Sequence, residues 1–127
     1  MNTKITLGLR LFLGAIFTIF GLNGFLHFIP MPPPSQEMQS FMGGLMGSGY
    51  FFPLLKGTEI LCGLAFLSGL YVPVAAIVLA PITINILAVH IFLDTAGLPM
   101  GIILTLAHLG LGYQLRDVYK DVLKMKS

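Results

Sequence analysis

The stretch YFFPLLKGTEILCGLAFLSGL, Tyr50 to Leu70, is long and apolar enough to cross a bilayer, yet it carries Lys56 and Glu59 one helical turn apart. A hydrocarbon core of about 30 Å takes about 20 residues of helix. A charge at its centre costs about 2.5–3.5 kcal/mol on insertion scales, so ionisable residues at that depth face a partner, a cavity or a ligand. Lys56 and Glu59 are therefore the first candidates for a site.

Composition carries the membrane reading to the rest of the chain. Of 127 residues, 56% are hydrophobic and 9% charged, and mean hydropathy is +0.91; a soluble domain has about 25% charged residues. A single domain of this make-up is covered by lipid rather than water. The net charge of +2 offers no basic surface for nucleic acid. Cys62 is the single cysteine, which excludes an intrachain disulfide and a CxxC redox motif.

Four apolar segments follow from the Pro, Gly and polar clusters between them: Ile5 to Ile29, Tyr50 to Leu70, Val72 to Phe92 and Leu98 to Tyr119. Pro53, Pro73 and Pro99 fall near the starts of the last three, where a first-turn proline gives up an N–H that has no intrahelical partner. The runs are apolar on both parities, unlike the alternating strands of a membrane barrel. The expected architecture is all-α, an integral membrane four-helix bundle forming one domain. Lys4 precedes the first run, but no A-x-A cleavage pattern follows and Arg10 lies within its early turns, so this run is read as a retained helix.

Lys4 and Arg10 flank the first helix, and Arg116, Lys120, Lys124 and Lys126 follow the fourth; the connections carry no Lys or Arg, but two carry Glu37 and Asp94. The positive-inside rule then puts both termini in the cytoplasm, with the first and third connections outside. A bacterial inner membrane is the expected location. The tail beyond Arg116 alternates basic and acidic residues with Val118, Tyr119, Val122, Leu123 and Met125, as a helix end in the headgroup region would.

The first connection is the only long one. Its PMPPPS sequence, from Pro30, stops the first helix, and Ser35 is placed to cap a new one. Met38, Phe41, Met42, Leu45 and Met46 recur at helical spacing, predicting an interfacial helix over residues 35–47 with one apolar face. Its plain reading is a surface helix; a lid is the alternative, since methionine-rich surfaces adapt to varied shapes.

Depth follows from the rise of about 1.5 Å per residue. Asn23 and His27 fall near the outer end of the first helix, and Lys56 and Glu59 roughly 9 and 13 Å below the outer start of the second. Asn85 and His90 lie in the outer half of the third helix with Asp94 just beyond it, and Thr105 and His108 roughly 10 and 15 Å into the fourth. Spacings of three or four residues put the members of each pair on one face. The expected site is thus a polar cluster of Asn23, Lys56, Glu59, Asn85 and His108, with His27, His90, Asp94 and Thr105 as secondary candidates.

Each residue also has a plainer reading. Lys56 and Glu59 neutralise each other and hold register, Asn85 is interhelical glue, and His27 and His90 are interfacial imidazoles. Cys62 is a packing residue. Pro81, one turn before Asn85, frees a backbone carbonyl and makes local space. Gly101, Thr105, His108 and Gly112 form a small-or-polar stripe suited to close helix contact. No HExxH or ExxH spacing, glycine-rich phosphate loop, nucleophile elbow or CxxCH occurs, so no metal and no cofactor within the chain is expected.

At these residues the chain resembles the DoxX family, including its DoxD-like branch of small bacterial membrane proteins. The resemblance is carried by RLFLGAIFTIFGLNGFLHFIP at Arg10 to Pro30, GYFFPLLKGTEILCGLAFLSG at Gly49 to Gly69 and APITINILAVHIFLDTAGLP at Ala80 to Pro99. It implies a four-helix membrane protein associated with redox complexes, because the family takes its name from a subunit linked to thiosulfate:quinone oxidation. It brings no catalytic residues with it, and fold analogy supplies no chemistry the residues lack.

Two functions are expected from this reading. One is a redox-complex subunit that binds a quinone or other small lipophilic molecule in the outer-half cluster, with a partner subunit supplying electrons. The alternative is a non-enzymatic scaffold or small-molecule binding and passage module, alone or as a homo-oligomer, in which Lys56 and Glu59 form a structural ion pair.

Overall fold

The computed structural model describes residues 2–30 and 33–124. Met31 and Pro32 of the loop, and Met125 and Lys126 of the tail, lie outside them. Helices α1 (Thr3–Leu26), α2 (Gln36–Gly47), α3 (Phe51–Ser68), α4 (Val72–Phe92), α5 (Leu98–Gln114) and α6 (Arg116–Tyr119) follow in order, with a 3-10 turn at Thr95–Gly97 before α5. No strand occurs among the described residues. Four helical stretches, Thr3–Leu26, Phe51–Ser68, Val72–Phe92 and Thr95–Gln114, are long and apolar enough to span a membrane.

Local chemistry sets the helix ends. Asn2 caps α1 by accepting from the Ile5 N–H at 3.1 Å, and its own N–H donates to Gln114 Oε1 at 2.8 Å, tying the start of α1 to the end of α5. Ser35 caps α2, accepting from the Met38 N–H at 3.1 Å, as a serine before a helical run should. Ser48 accepts from the Phe51 N–H at 3.0 Å at the head of α3. Gly69, at φ +80°, ends α3 in the left-handed conformation that glycine adopts without a steric penalty. The Arg10 guanidinium packs on this glycine, which places a cation at the negative end of the α3 dipole.

The span expected to run to Tyr119 breaks at Leu115. The Leu115 N–H is shared between the Leu111 and Gly112 carbonyls, and this tightened last turn redirects the chain into α6.

In the bundle α1 packs on α3, α3 on α4, α4 on α5 and α5 back on α1. The seam between α1 and α3 is built from glycines. A Cβ at Gly14 or Gly21 would fall within 3.0 Å of Leu67 or Ile60 respectively, and one at Gly63 would overlap Thr18. Small residues at such a seam let two backbones approach closely, which is how helices associate where lipid removes the hydrophobic drive.

The two halves of the bundle are filled differently. The half that holds both termini is filled by an apolar core of Leu13 and Phe17 from α1, Cys62 and Phe66 from α3, Ala75, Ala76 and Leu79 from α4, and Leu104, Ala107 and Leu111 from α5. Large apolar side chains such as Leu61, Ile84, Leu106 and Leu109 lie outside, exposed, where lipid is their solvent. The other half, covered by α2, holds a cavity.

Candidate functional site

The cavity is about 420 Å³ and is walled by five helices and the 3-10 turn. Ile16, Phe17 and Phe20 come from α1, and Leu55, Lys56 and Glu59 from α3. Ile82, Asn85, Ile86, Val89 and His90 come from α4, with Gly97, Met100 and Leu104 from the turn and α5. Helix α2 closes it with Met38, Phe41, Met42 and Leu45, the apolar stripe that its helical spacing predicts. The lining is mostly apolar with a few polar groups set into it, and its volume lies in the range of about 300–1,000 Å³ typical of small-molecule sites.

Lys56 and Glu59 are the polar centre. Lys56 Nζ lies 3.3 Å from Glu59 Oε2. Glu59 is only 4% exposed, while the Lys56 side chain retains 19%. A glycine makes room for the lysine: a Cβ on Gly24 would come within 3.0 Å of the Lys56 stem. The ammonium also stands 5.8 Å from the centre of the Phe52 ring, within reach of a cation–π attraction. The ion pair balances charge, but at 3.3 Å it is long for a hydrogen bond, and Glu59 Oε2 has no other partner among the described residues. Burying an oxygen so weakly matched is costly.

Asn85 and His90 share this cavity from α4. Asn85 is exposed on the wall and makes no side-chain hydrogen bond to a described residue. His90 Nδ1 lies 3.1 Å from the Asp94 carbonyl. A carbonyl only accepts, so Nδ1 carries the proton and, in the neutral ring, Nε2 is left as an acceptor. The imidazole packs so closely on Gly97 that a Cβ there would overlap it.

The other candidates lie off the cavity wall, each for a local reason. Asn23 is buried, but its Oδ1 accepts from the Ile29 N–H at 2.8 Å, fixing the chain as it leaves α1. His27 is exposed and ends α1 with φ +51°, its N–H donating to the Asn23 carbonyl. Asp94 meets His90 only through its backbone carbonyl. Thr105 turns its hydroxyl back onto the Gly101 carbonyl at 2.8 Å, a bond internal to its own helix.

His108 departs furthest from the expected cluster. It is buried between α4 and α5, with Nε2 2.8 Å from the Ala76 carbonyl and Nδ1 2.8 Å from Thr83 Oγ1. Nε2 therefore donates, and in the neutral ring Nδ1 accepts from the Thr83 hydroxyl. Both nitrogens are taken, and His108 locks two helices together rather than facing a ligand. Its acceptor adjoins the Ile77 carbonyl, whose usual N–H is missing because Pro81 has none.

Gly24, Gly97 and Phe20, which shape the site, were not among the residues singled out from sequence. Gly14, Gly21 and Gly24 do recur on α1 at spacings of seven and three, a signal of one small-residue face. Among the described residues, no three His, Cys, Asp or Glu side chains are grouped to hold a metal ion.

No curated protein and no solved structure matches the chain. A family model does: that of DoxX, over residues 5–91. That span takes in α2, α3 and nearly all of α1 and α4, hence Lys56, Glu59, Asn85 and His90; only the Gly97, Met100 and Leu104 wall lies beyond it. With the family matched over well more than half of its length and four helices able to cross a bilayer, the chain is a multi-pass membrane protein and belongs to the DoxX family.

Proposed function

We propose that this protein holds a small lipophilic molecule, a quinone in the first instance, in the cavity beneath α2, as a subunit of a membrane redox complex. The observation that carries this is the ion pair, set with Asn85 and His90 into an otherwise apolar chamber. Lys56 Nζ and the Asn85 amide donate to the oxygens of the head group, and Glu59 relays protons. Phe17, Phe20, Leu55 and Ile86 take the ring and the start of the tail. A partner subunit brings the electrons. The basic residues Lys4, Arg10, Arg116, Lys120 and Lys124 gather at one end and Glu37 and Asp94 at the other, which supports cytoplasmic termini in a bacterial inner membrane.

The test is mass spectrometry of lipophilic molecules that accompany the protein through mild purification. A quinone is expected with the wild type and is expected to be lost from a folded Lys56→Met/Glu59→Leu double variant. Repeated preparations that carry no quinone or other lipophile would overturn the proposal.

A second reading is a scaffold in which the pair only holds the bundle in register. The fit of the Lys56 stem over Gly24, at the seam of α1 and α3, favours it. On this reading the double variant assembles normally with its partners and loses no ligand, while each single variant fails, because each strands a charge.

A further inference from the structure

Two acceptors on the cavity wall have bonding capacity left over. Glu59 Oε2 is buried, lines the cavity and meets only the long 3.3 Å contact to Lys56 Nζ among the described residues. On the facing helix, the bond from His90 Nδ1–H to the Asp94 carbonyl leaves Nε2 of the neutral ring as an acceptor. The donors on the same wall are Lys56 and Asn85. We infer that the cavity selects molecules whose head group both donates and accepts hydrogen bonds, and so binds a hydroquinone in preference to the quinone of the same skeleton. This rests on the lipophilic-ligand reading above and narrows it.

The two forms nearly coincide in shape, so the discrimination is one of hydrogen bonding. A hydroquinone hydroxyl accepts from Lys56 Nζ and donates to Glu59 Oε2 together, adding the short bond that the long ion pair does not supply. A quinone carbonyl accepts from Lys56 equally well, but sets a second lone pair against the carboxylate. A site with a buried, unmatched polar group penalises the ligand that cannot match it. A hydrogen bond to a charged group is strong enough to make the preference roughly tenfold or more.

The experiment compares a decyl-tailed benzohydroquinone with the matching benzoquinone under anaerobic conditions. Each is titrated onto the immobilised full-length protein in detergent, and the retained ligand is quantified by mass spectrometry. The expected result is a roughly tenfold or greater preference of the wild type for the hydroquinone. In Glu59→Gln the new amide offers a donor of its own, so the ratio falls towards one. Should that variant fail to fold, Lys56→Met/Glu59→Gln carries the same comparison, and the wild-type ratio needs no variant.

Retention of the quinone as tight as that of the hydroquinone, or tighter, overturns the inference while leaving the lipophilic-ligand reading in place. A preference that persists unchanged when Glu59 is replaced overturns the role given to its carboxylate. Retention of neither compound overturns the quinone reading and the inference with it.

Discussion

Two polar clusters sit inside this bundle, and they solve the same problem in opposite ways. Between α4 and α5, His108, Thr83 and the Ala76 carbonyl form a closed set in which both ring nitrogens are matched. Beneath α2, Lys56 and Glu59 balance charge but leave a buried oxygen with only a long contact to its donor, on the wall of a cavity. Hydrocarbon tolerates polar atoms only when something satisfies them. A closed cluster is therefore sufficient as structure, whereas an open one lowers its free energy by taking up a further group.

The largest expected effect breaks the open cluster. Lys56→Met leaves Glu59 buried without its counter-ion and should cost about 3 kcal/mol or more. Glu59→Leu should cost less, because the freed lysine retains a route to water along its stem. Thermal melting of the purified single and double variants in detergent checks the order; equal losses in the two singles would contradict it.

Next comes the closed cluster. His108→Leu should lower stability by about 1–2 kcal/mol, the range for interhelical hydrogen bonds in membranes, and Thr83→Val added to it should cost little more. Ligand retention should not change. A His108→Leu protein that melts normally but binds no ligand would erase the distinction between the clusters.

Gly97→Val sharpens the comparison from the other side. Its side chain would occupy the place of the His90 ring, so retention should fall severalfold while the melting temperature moves little. The smallest effect is expected from Ser35→Ala, about 1 kcal/mol from the lost cap of α2 together with its bond to the Leu93 carbonyl. Hydrogen exchange should quicken at the amides of Met38 to Leu45 and stay unchanged in α5.

Hydropathy and prolines were enough to place the four spans, and Ser35 with the Met and Phe spacing was enough for α2. Depth arithmetic brought Lys56, Glu59, Asn85 and His90 to one level, where the cavity lies. It also brought in Asn23 and His108, because a helical position specifies a height and a face but not the group met there. Asn23 meets the Ile29 N–H only because the chain turns back after His27, and His108 meets Ala76 only because α4 and α5 pack at that register. The glycine seam leaves a partial signal, since Gly14 and Gly21 lie a heptad apart, but what they accommodate is on another helix. The break at Leu115 left no proline to announce it.

Ser35 connects more of the molecule than its size suggests. Its hydroxyl accepts from the Met38 N–H and donates to the Leu93 carbonyl at the end of α4, so one oxygen fixes the base of α2 against the helix that carries Asn85 and His90. The helix above it is 12 residues long, about 18 Å. Its far end passes through Ser48, whose hydroxyl accepts from the Phe51 N–H, directly into α3. Helix α2 is thus a strap fastened at both ends by a serine, to α4 through Ser35 and to α3 through Ser48.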